Sequence, residues 1–146
     1  CLPVLFAAPD GRGVGAAHAG WRGLAAGVLE ATIAALCQAV GCAPGELSAW
    51  MRPCIGPRHF EVGADVLEAF GADPSRGGQP FFAPHADGKW LADLPGLARA
   101  RLARAGLTRI SGGQWCTVEE PSRFFSFRRD RVTGRMVAAV WLDRRG

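Results

Sequence analysis

The feature that most constrains this chain is the run at residues 2–8, LPVLFAA, which is unbroken in apolar character and closed by Pro9, Asp10 and Gly11. A short apolar run bounded by turn signals reads as a buried strand. It falls far short of the roughly 18 residues that a membrane helix needs, and no other run in the sequence approaches that length. Residues 14–18 (VGAAH) form a second strand, weakened by Gly15, and the PDGRG link makes the pair a hairpin. A hairpin symmetric about Gly11 sets His18 opposite Val4. Cys1 then lies three residues further along, roughly 10 Å away and on the opposite face of the ribbon.

Helical spacing follows at Leu24, Val28, Ile33, Leu36 and Val40, with Gly41 as the natural stop. Residues 47–51 read as a strand ending at Pro53, and CIGP at 54–57 as a rigid turn. Residues 64–70 suit a short helix with Asp65 in its first turn. Residues 71–88, rich in Gly and Pro, read as a loop and the one candidate flap. Asp93, Leu94 and Pro95 start a further helix that runs to Gly106. Residues 108–111 read as a strand, and the apolar 136–142 (MVAAVWL) as the last one. Strands and helices mix without clean alternation, so the fold class is α+β, a multilayer mixed-sheet α/β domain. With 146 residues, 49% of them hydrophobic, one domain over 1–146 is expected to bury a real core without disulfides.

The formal charge of +4 comes almost wholly from arginine, since Lys89 is the only lysine. The densest cluster, residues 123–135, interleaves five Arg with Asp130 and is less one-sided than a nucleic-acid footprint. A surface for small anions such as phosphate fits better, with no nucleic acid and no membrane among the partners. Five cysteines without a framework or leader point to free thiols in a cytoplasmic, reducing setting. A chain that opens on Cys1 and runs straight into a strand suggests that sequence upstream is missing.

Several motifs carry chemistry, each beside a plainer alternative. GRGVGA at 11–16 matches a dinucleotide fingerprint, but more strand follows where that fingerprint needs a helix, so it is hairpin punctuation. Cys1 and His18 offer a thiolate and an imidazole suited to zinc; alternatively they are a small hydrophobe and a hydrogen-bonded strand residue. GWRG at 20–23 is either an anion site using Arg22 or a helix start with Trp21 packed and Arg22 solvated. FFSFRRD at 124–130 sets Phe125 to stack on a base and Arg128 to hold an anion, whereas its alternation reads as an edge strand. Cys54 and the pair Cys116-Thr117 are candidate nucleophiles, but neither has an adjacent His or any sign of a lowered pKa. Cys37 and Cys42 at a helix end are core, and His59 and His85 are solvated loop residues.

The order of these blocks is distinctive. CLPVLF, VGAAHAGWRG, PCIGP followed by FEVG, CT, FFSFRRD and TGRM together resemble the laccase-domain family, long labelled multicopper polyphenol oxidase and now assigned as purine nucleoside phosphorylase. The resemblance runs almost end to end. It implies a zinc site of two His and one Cys, of which Cys1 and His18 are present here and the other His belongs to an upstream His-Gly block. It also implies phosphorolysis of adenosine, inosine, guanosine or methylthioadenosine to free base and ribose 1-phosphate, with adenosine deamination beside it. On this expectation Cys1 and His18 are catalytic and metal-binding, while Arg22, Phe125 and Arg128 contact substrate. The fold it implies is similar to that of a bacterial toxin deamidase, a cysteine hydrolase, and the assembly is a monomer or homodimer.

Other readings stand beside it. The older label requires copper, yet three histidines and no His-x-His pair cannot furnish a multicopper cluster. A metal-free Cys/His hydrolase and a non-catalytic binding domain are the remaining alternatives.

Overall fold

Strand β1 (Pro3–Ala7) is the hub of the computed structural model, which describes residues 1–143. It pairs antiparallel with β2 (Val14–His18) on one side and with β3 (Ser48–Met51) on the other. Strand β7 (Arg109–Gly112) adds to β3 in parallel, giving the order β2-β1-β3-β7. A central strand paired on both edges must be apolar, and Leu2, Val4 and Phe6 are 0–1% exposed. A second, three-stranded sheet has the order β4-β6-β5, from Glu61–Val62, Lys89–Ala92 and Phe82–Ala86. The mixture of parallel and antiparallel pairing with five helices, among the described residues, is the α+β class that the sequence predicts.

The hairpin register differs from expectation, and the difference matters for the site. Pro3 pairs with His18 and Val4 with Ala17. The shift arises because residues 9–11 coil into a single 3-10 turn in which Asp10 and Gly11 both take positive φ, 57° and 62°. The Ala8 N–H donates to the Gly13 carbonyl, so the link is residues 9–12, an even number where a link centred on Gly11 has an odd one. Leu2 and Ala19 then exchange two backbone hydrogen bonds, of 3.3 and 2.8 Å, which carries the ladder one pair beyond β1.

The single helix expected from Leu24 is two. Helix α1 (Trp21–Ala25) stops at Gly27, whose φ of 91° no continuous helix allows, and α2 (Val28–Val40) begins there. Leu29, Ile33 and Leu36 of α2 pack onto the sheet, and Gly41 closes the helix in the left-handed conformation. The Gly41 and Cys42 N–H groups both donate to the Cys37 carbonyl, which brings the two thiols to 3.6 Å. These cysteines are thus helix-end packing, as the sequence suggests. Helix α3 (Ala64–Ala69) and helix α4 (Leu94–Arg104) lie where the sequence puts them; the Asp93 carboxylate accepts the Gly96 N–H at 2.9 Å and caps α4.

Three expectations fail. Residues 71–88 are not all loop, because β5 pairs with β6 about a turn at Asp87 and Gly88, burying Phe82 and Trp90. Composition there signals turns, and the apolar Phe82, alone among prolines and glycines, carries no period. The edge strand expected at 124–130 is instead helix α5 (Phe127–Asp130), started by Ser126, whose hydroxyl accepts the Arg129 N–H at 3.3 Å. The strand expected at 136–142 has no ladder: Val137 and Trp141 are 88% and 76% exposed. An apolar run states a preference for burial, but a strand also needs a neighbour to pair with. Among the described residues no helix is long and apolar enough to cross a membrane.

Candidate active site

The hairpin register decides what Cys1 and His18 can do together. Leu2, Val4, Ala17 and Ala19 share the buried face of the ribbon. Alternation therefore puts Cys1, Pro3 and His18 on the other face, which corrects the expectation that Cys1 and His18 point apart. They stand one diagonal step from each other, about 7 Å between backbones, and both are exposed. A thiol and an imidazole on one face of the ribbon are donors of the type that suits zinc. Among the described residues no group of three His, Cys, Asp or Glu is placed to complete such a set.

Beside Cys1 opens a cavity of about 510 Å³. Cys1 and Pro3 form one wall, Phe60 a second, and Phe125, Ser126, Phe127 and Arg128 a third. Phe125 and Arg128, expected as substrate contacts, thus meet Cys1 in one space. His18 stands outside the lining, behind Pro3, its cross-strand partner. Arg22 also lies outside it; its guanidinium rests 4.3 Å from the centre of the Trp21 ring, on a helix of only five residues. The dinucleotide reading of 11–16 is excluded, since Val14–His18 is strand and no helix starts there.

Arg129 of α5 holds this third wall in place. Its guanidinium donates to the carbonyls of Thr117 at 2.8 Å, Val118 at 3.2 Å and Phe124 at 3.0 Å, and pairs with Asp130 at 2.7 Å. A fork of fixed donors does here what a ladder does in a sheet. Phe125 lies on bare backbone: a Cβ at Gly134 would meet its ring at 2.7–2.9 Å. Arg128 stands over Phe60, 5.7 Å from the ring centre, with one long hydrogen bond of 3.4 Å to the Glu61 carbonyl.

The loop bearing Phe60 is tied to the segment after Cys116 by Glu119. Arg58 Nε donates to Glu119 Oε1 at 2.7 Å, a second Arg58 nitrogen donates to Oε2, and His59 Nε2 lies 3.0 Å from Oε1. Hydrogen bonding from Arg58 holds the Glu119 carboxyl below its ordinary range. His85 similarly sits 3.5 Å from Glu61. Both histidines are exposed, as expected, each with a carboxylate neighbour, and His85 lies in β5 rather than in a loop.

Cys54 and Cys116 are both buried, and Cys54 is held as a thiol. Burial pushes the Cys54 thiol up to about 12, helped by Cys116 and Asp93. Cys116 Sγ instead accepts the Gly56 N–H at 3.2 Å and packs the two loops together.

Sequence reasoning gave no role to Arg135 and Thr133 in the lining, and took Thr117 only with Cys116 as a candidate nucleophile. The TGRM block that holds two of them carries no charge pattern or period of its own, so only its place in the fold gives it meaning.

A family model described as multi-copper polyphenol oxidoreductase laccase matches residues 1–143. The chain is 51% identical over 142 residues to Purine nucleoside phosphorylase YfiH of Escherichia coli (strain K12), covering 97% of this chain and 56% of that protein. Purine nucleoside phosphorylase PA4543 of Pseudomonas aeruginosa is 48% identical over 143 residues, covering 98% and 57%. Among solved structures, protein NMB0706 of Neisseria meningitidis superposes with a TM-score of 0.79 at 49% identity, over 89% of this chain and 52% of its own. The hypothetical protein YfiH of Bacillus licheniformis gives 0.80 at 32% identity, over 90% and 50%. The chain spans about half the length of these relatives. Sequence, fold and the matched blocks agree: the chain belongs to the multi-copper polyphenol oxidoreductase laccase family.

Proposed function

We propose that the protein of which this chain is part cleaves purine nucleosides with phosphate, and that the cavity beside Cys1 is where it does so. The observation that carries this reading is the meeting, in one space of about 510 Å³, of a thiol, two exposed aromatic rings and guanidinium groups, with no carboxylate in the lining. A purine is flat and polarisable, and Phe125, 53% exposed and backed by Gly134, is a platform for it. Arg128, poised over Phe60, donates to phosphate or to sugar hydroxyls. Relatives named purine nucleoside phosphorylase support the assignment.

In the reaction a phosphate oxygen bonds to the anomeric carbon as the carbon–nitrogen bond to the base breaks. The electron pair leaves with the purine, which takes a proton from solvent, and ribose 1-phosphate remains. The sugar is cation-like midway, so the work of the chain is to hold phosphate in line and keep the base oriented. Cys1 and His18 are the residues that would hold zinc, joined by a third donor outside these residues. Bound there, the metal supplies Lewis acidity and an activated water. Adenosine deamination, with water in place of phosphate, belongs to the same reading. So do a cytoplasmic setting and a fold likeness to the bacterial toxin deamidase. Arg22, standing outside the cavity, serves as a cation near His18 rather than as the principal phosphate contact.

The test is to incubate the full-length protein with inosine, adenosine and phosphate and to assay free base and ribose 1-phosphate. Base release that requires phosphate is expected. Phe125→Ala should raise KM for the nucleoside with little effect on stability. One zinc per chain is expected from metal analysis; several coppers and phenol oxidation would overturn the reading.

A further inference from the structure

The lining of the cavity is one-sided in a way that the nucleoside alone does not explain. It contains two guanidinium groups, Arg128 and Arg135, and not one Asp or Glu. Arg129, on the same short helix as Arg128, is neutralised by Asp130, and Arg123 by Glu120. Arg128 and Arg135 are not. Arg135 bonds only the carbonyls of Thr133 and Gly134, at 3.4 and 3.3 Å, beside it in the chain. Arg128 has its one long carbonyl bond.

Three hydroxyls share the lining, those of Thr117, Ser126 and Thr133. Ser126 is occupied as the cap of α5. Thr117 is only 8% exposed, and its backbone groups are spent, the N–H on Cys54 and the carbonyl on Arg129. Its hydroxyl has no hydrogen-bond partner among the described residues, and neither has that of Thr133. Both hydroxyls are therefore free to bond a ligand in the cavity they line. Two uncompensated cations and two uncommitted donors around one cavity form the complement of a tetrahedral oxyanion.

We infer that Arg135, with Arg128 and the hydroxyls of Thr117 and Thr133, forms the seat of inorganic phosphate in this cavity. The inference rests on the phosphorolysis reading for its meaning, since a seated phosphate is what makes phosphate rather than water the nucleophile. Arg135 is then the residue that sets the choice between the two. A phosphate held on one side by two guanidinium forks keeps its free oxygen directed at the sugar. Without it the same cavity binds nucleoside but leaves C1′ open only to water.

The experiment is calorimetric titration of the full-length, metal-loaded protein with inorganic phosphate, and separately with AMP, in chloride buffer. Arg135→Ala should weaken phosphate binding at least about tenfold, the size of a lost charged hydrogen bond. Thr117→Val should weaken it by about threefold. Arg104→Ala, an exposed arginine on α4 without a carboxylate partner and outside the cavity, should leave it unchanged. Arg135→Lys, which keeps the charge, should recover part of the affinity and guards against a variant that fails to fold. In turnover, Arg135→Ala should raise KM for phosphate while KM for inosine stays near wild type. Wild-type phosphate affinity in Arg135→Ala overturns the assignment. Arg135-dependent binding of AMP without binding of inorganic phosphate overturns it too, because the occupant is then a nucleotide. Arg135-dependent phosphate binding without any base release sinks the phosphorolysis reading but leaves the phosphate seat standing.

Discussion

The half of the molecule built on β1 and the arm formed by residues 116–143 are stabilised in different ways. Around β1, backbone groups are satisfied by ladders, and Leu2, Val4, Leu24, Leu29 and Met51 are all 0% exposed. In the arm, Phe125 and Phe127 are 53% and 57% exposed, and order comes from side chains bonding to backbone, Arg129 above all. The arm supplies most of the cavity wall. Functional surface is thus assembled from the part of the chain that buries least, hung on a sheet that buries most. A rigid scaffold that presents a less regular segment is a common arrangement for binding sites.

The contrast can be broken by mutation, starting where the effect should be largest. Phe6→Ala, in the centre of β1 and 1% exposed, should cost about 3–5 kcal/mol in urea unfolding. A loss below about 1 kcal/mol would mean that the sheet is not the principal source of stability. Glycines separate the regions more finely. Gly112 has a φ of 80°, and a Cβ there would fall on the Met51 carbonyl oxygen, which is backbone and cannot move aside. Gly112→Ala should therefore destabilise by about 2–3 kcal/mol. At Gly134 the obstacle is the Phe125 ring, which can rotate away. Gly134→Ala should stay within about 0.5 kcal/mol of wild type yet raise KM for the nucleoside severalfold. Equal losses at both glycines would erase the distinction.

Ser126→Ala removes the cap of α5 and should cost about 1 kcal/mol, with weaker phosphate binding because Arg128 sits on that helix. The smallest effect concerns Glu119. Its folded pKa is lowered by Arg58, so the stability it confers is present above the ordinary value of 4.5 and is lost as pH falls through the folded value. Glu119→Gln should remove that part of the acid-side decline. Because the pair is solvent-exposed, high salt should mimic the substitution. An unchanged acid limb would show that the clamp contributes nothing.

Legibility in the sequence follows the same divide. Strands β1, β2, β3 and β7 and helices α2 and α4 were readable, because their apolar residues repeat with the period of the element and their ends carry Gly, Pro or Asp. The break at Gly27 was not, since apolar spacing runs straight across it and only the φ of 91° reveals the turn. In the arm, the alternation of Phe and Arg at 124–130 imitates a strand, while the Ser126 cap wins locally. Candidate residues were found by residue type: Phe125 and Arg128 by an aromatic next to a cation, Cys1 and His18 by donor chemistry. Thr133 and Arg135 gave no such signal, because a lone hydroxyl or a surface arginine looks the same wherever it falls, and Thr117 stood out only beside Cys116.

By itself the sequence determined the α+β class, the buried hairpin and the set of residues able to bind a metal, a base or an anion. Those depend on composition and short-range period, which are local properties of the chain. Only the tertiary structure decided that Cys1 and His18 share a face, because one residue of register, set by the turn at Asp10 and Gly11, inverts every side chain of a strand. It also decided that Arg128 and Arg135 face one cavity that has no acid in its lining. Charge neutralisation is a matter of which side chains meet in space, and sequence distance does not encode that.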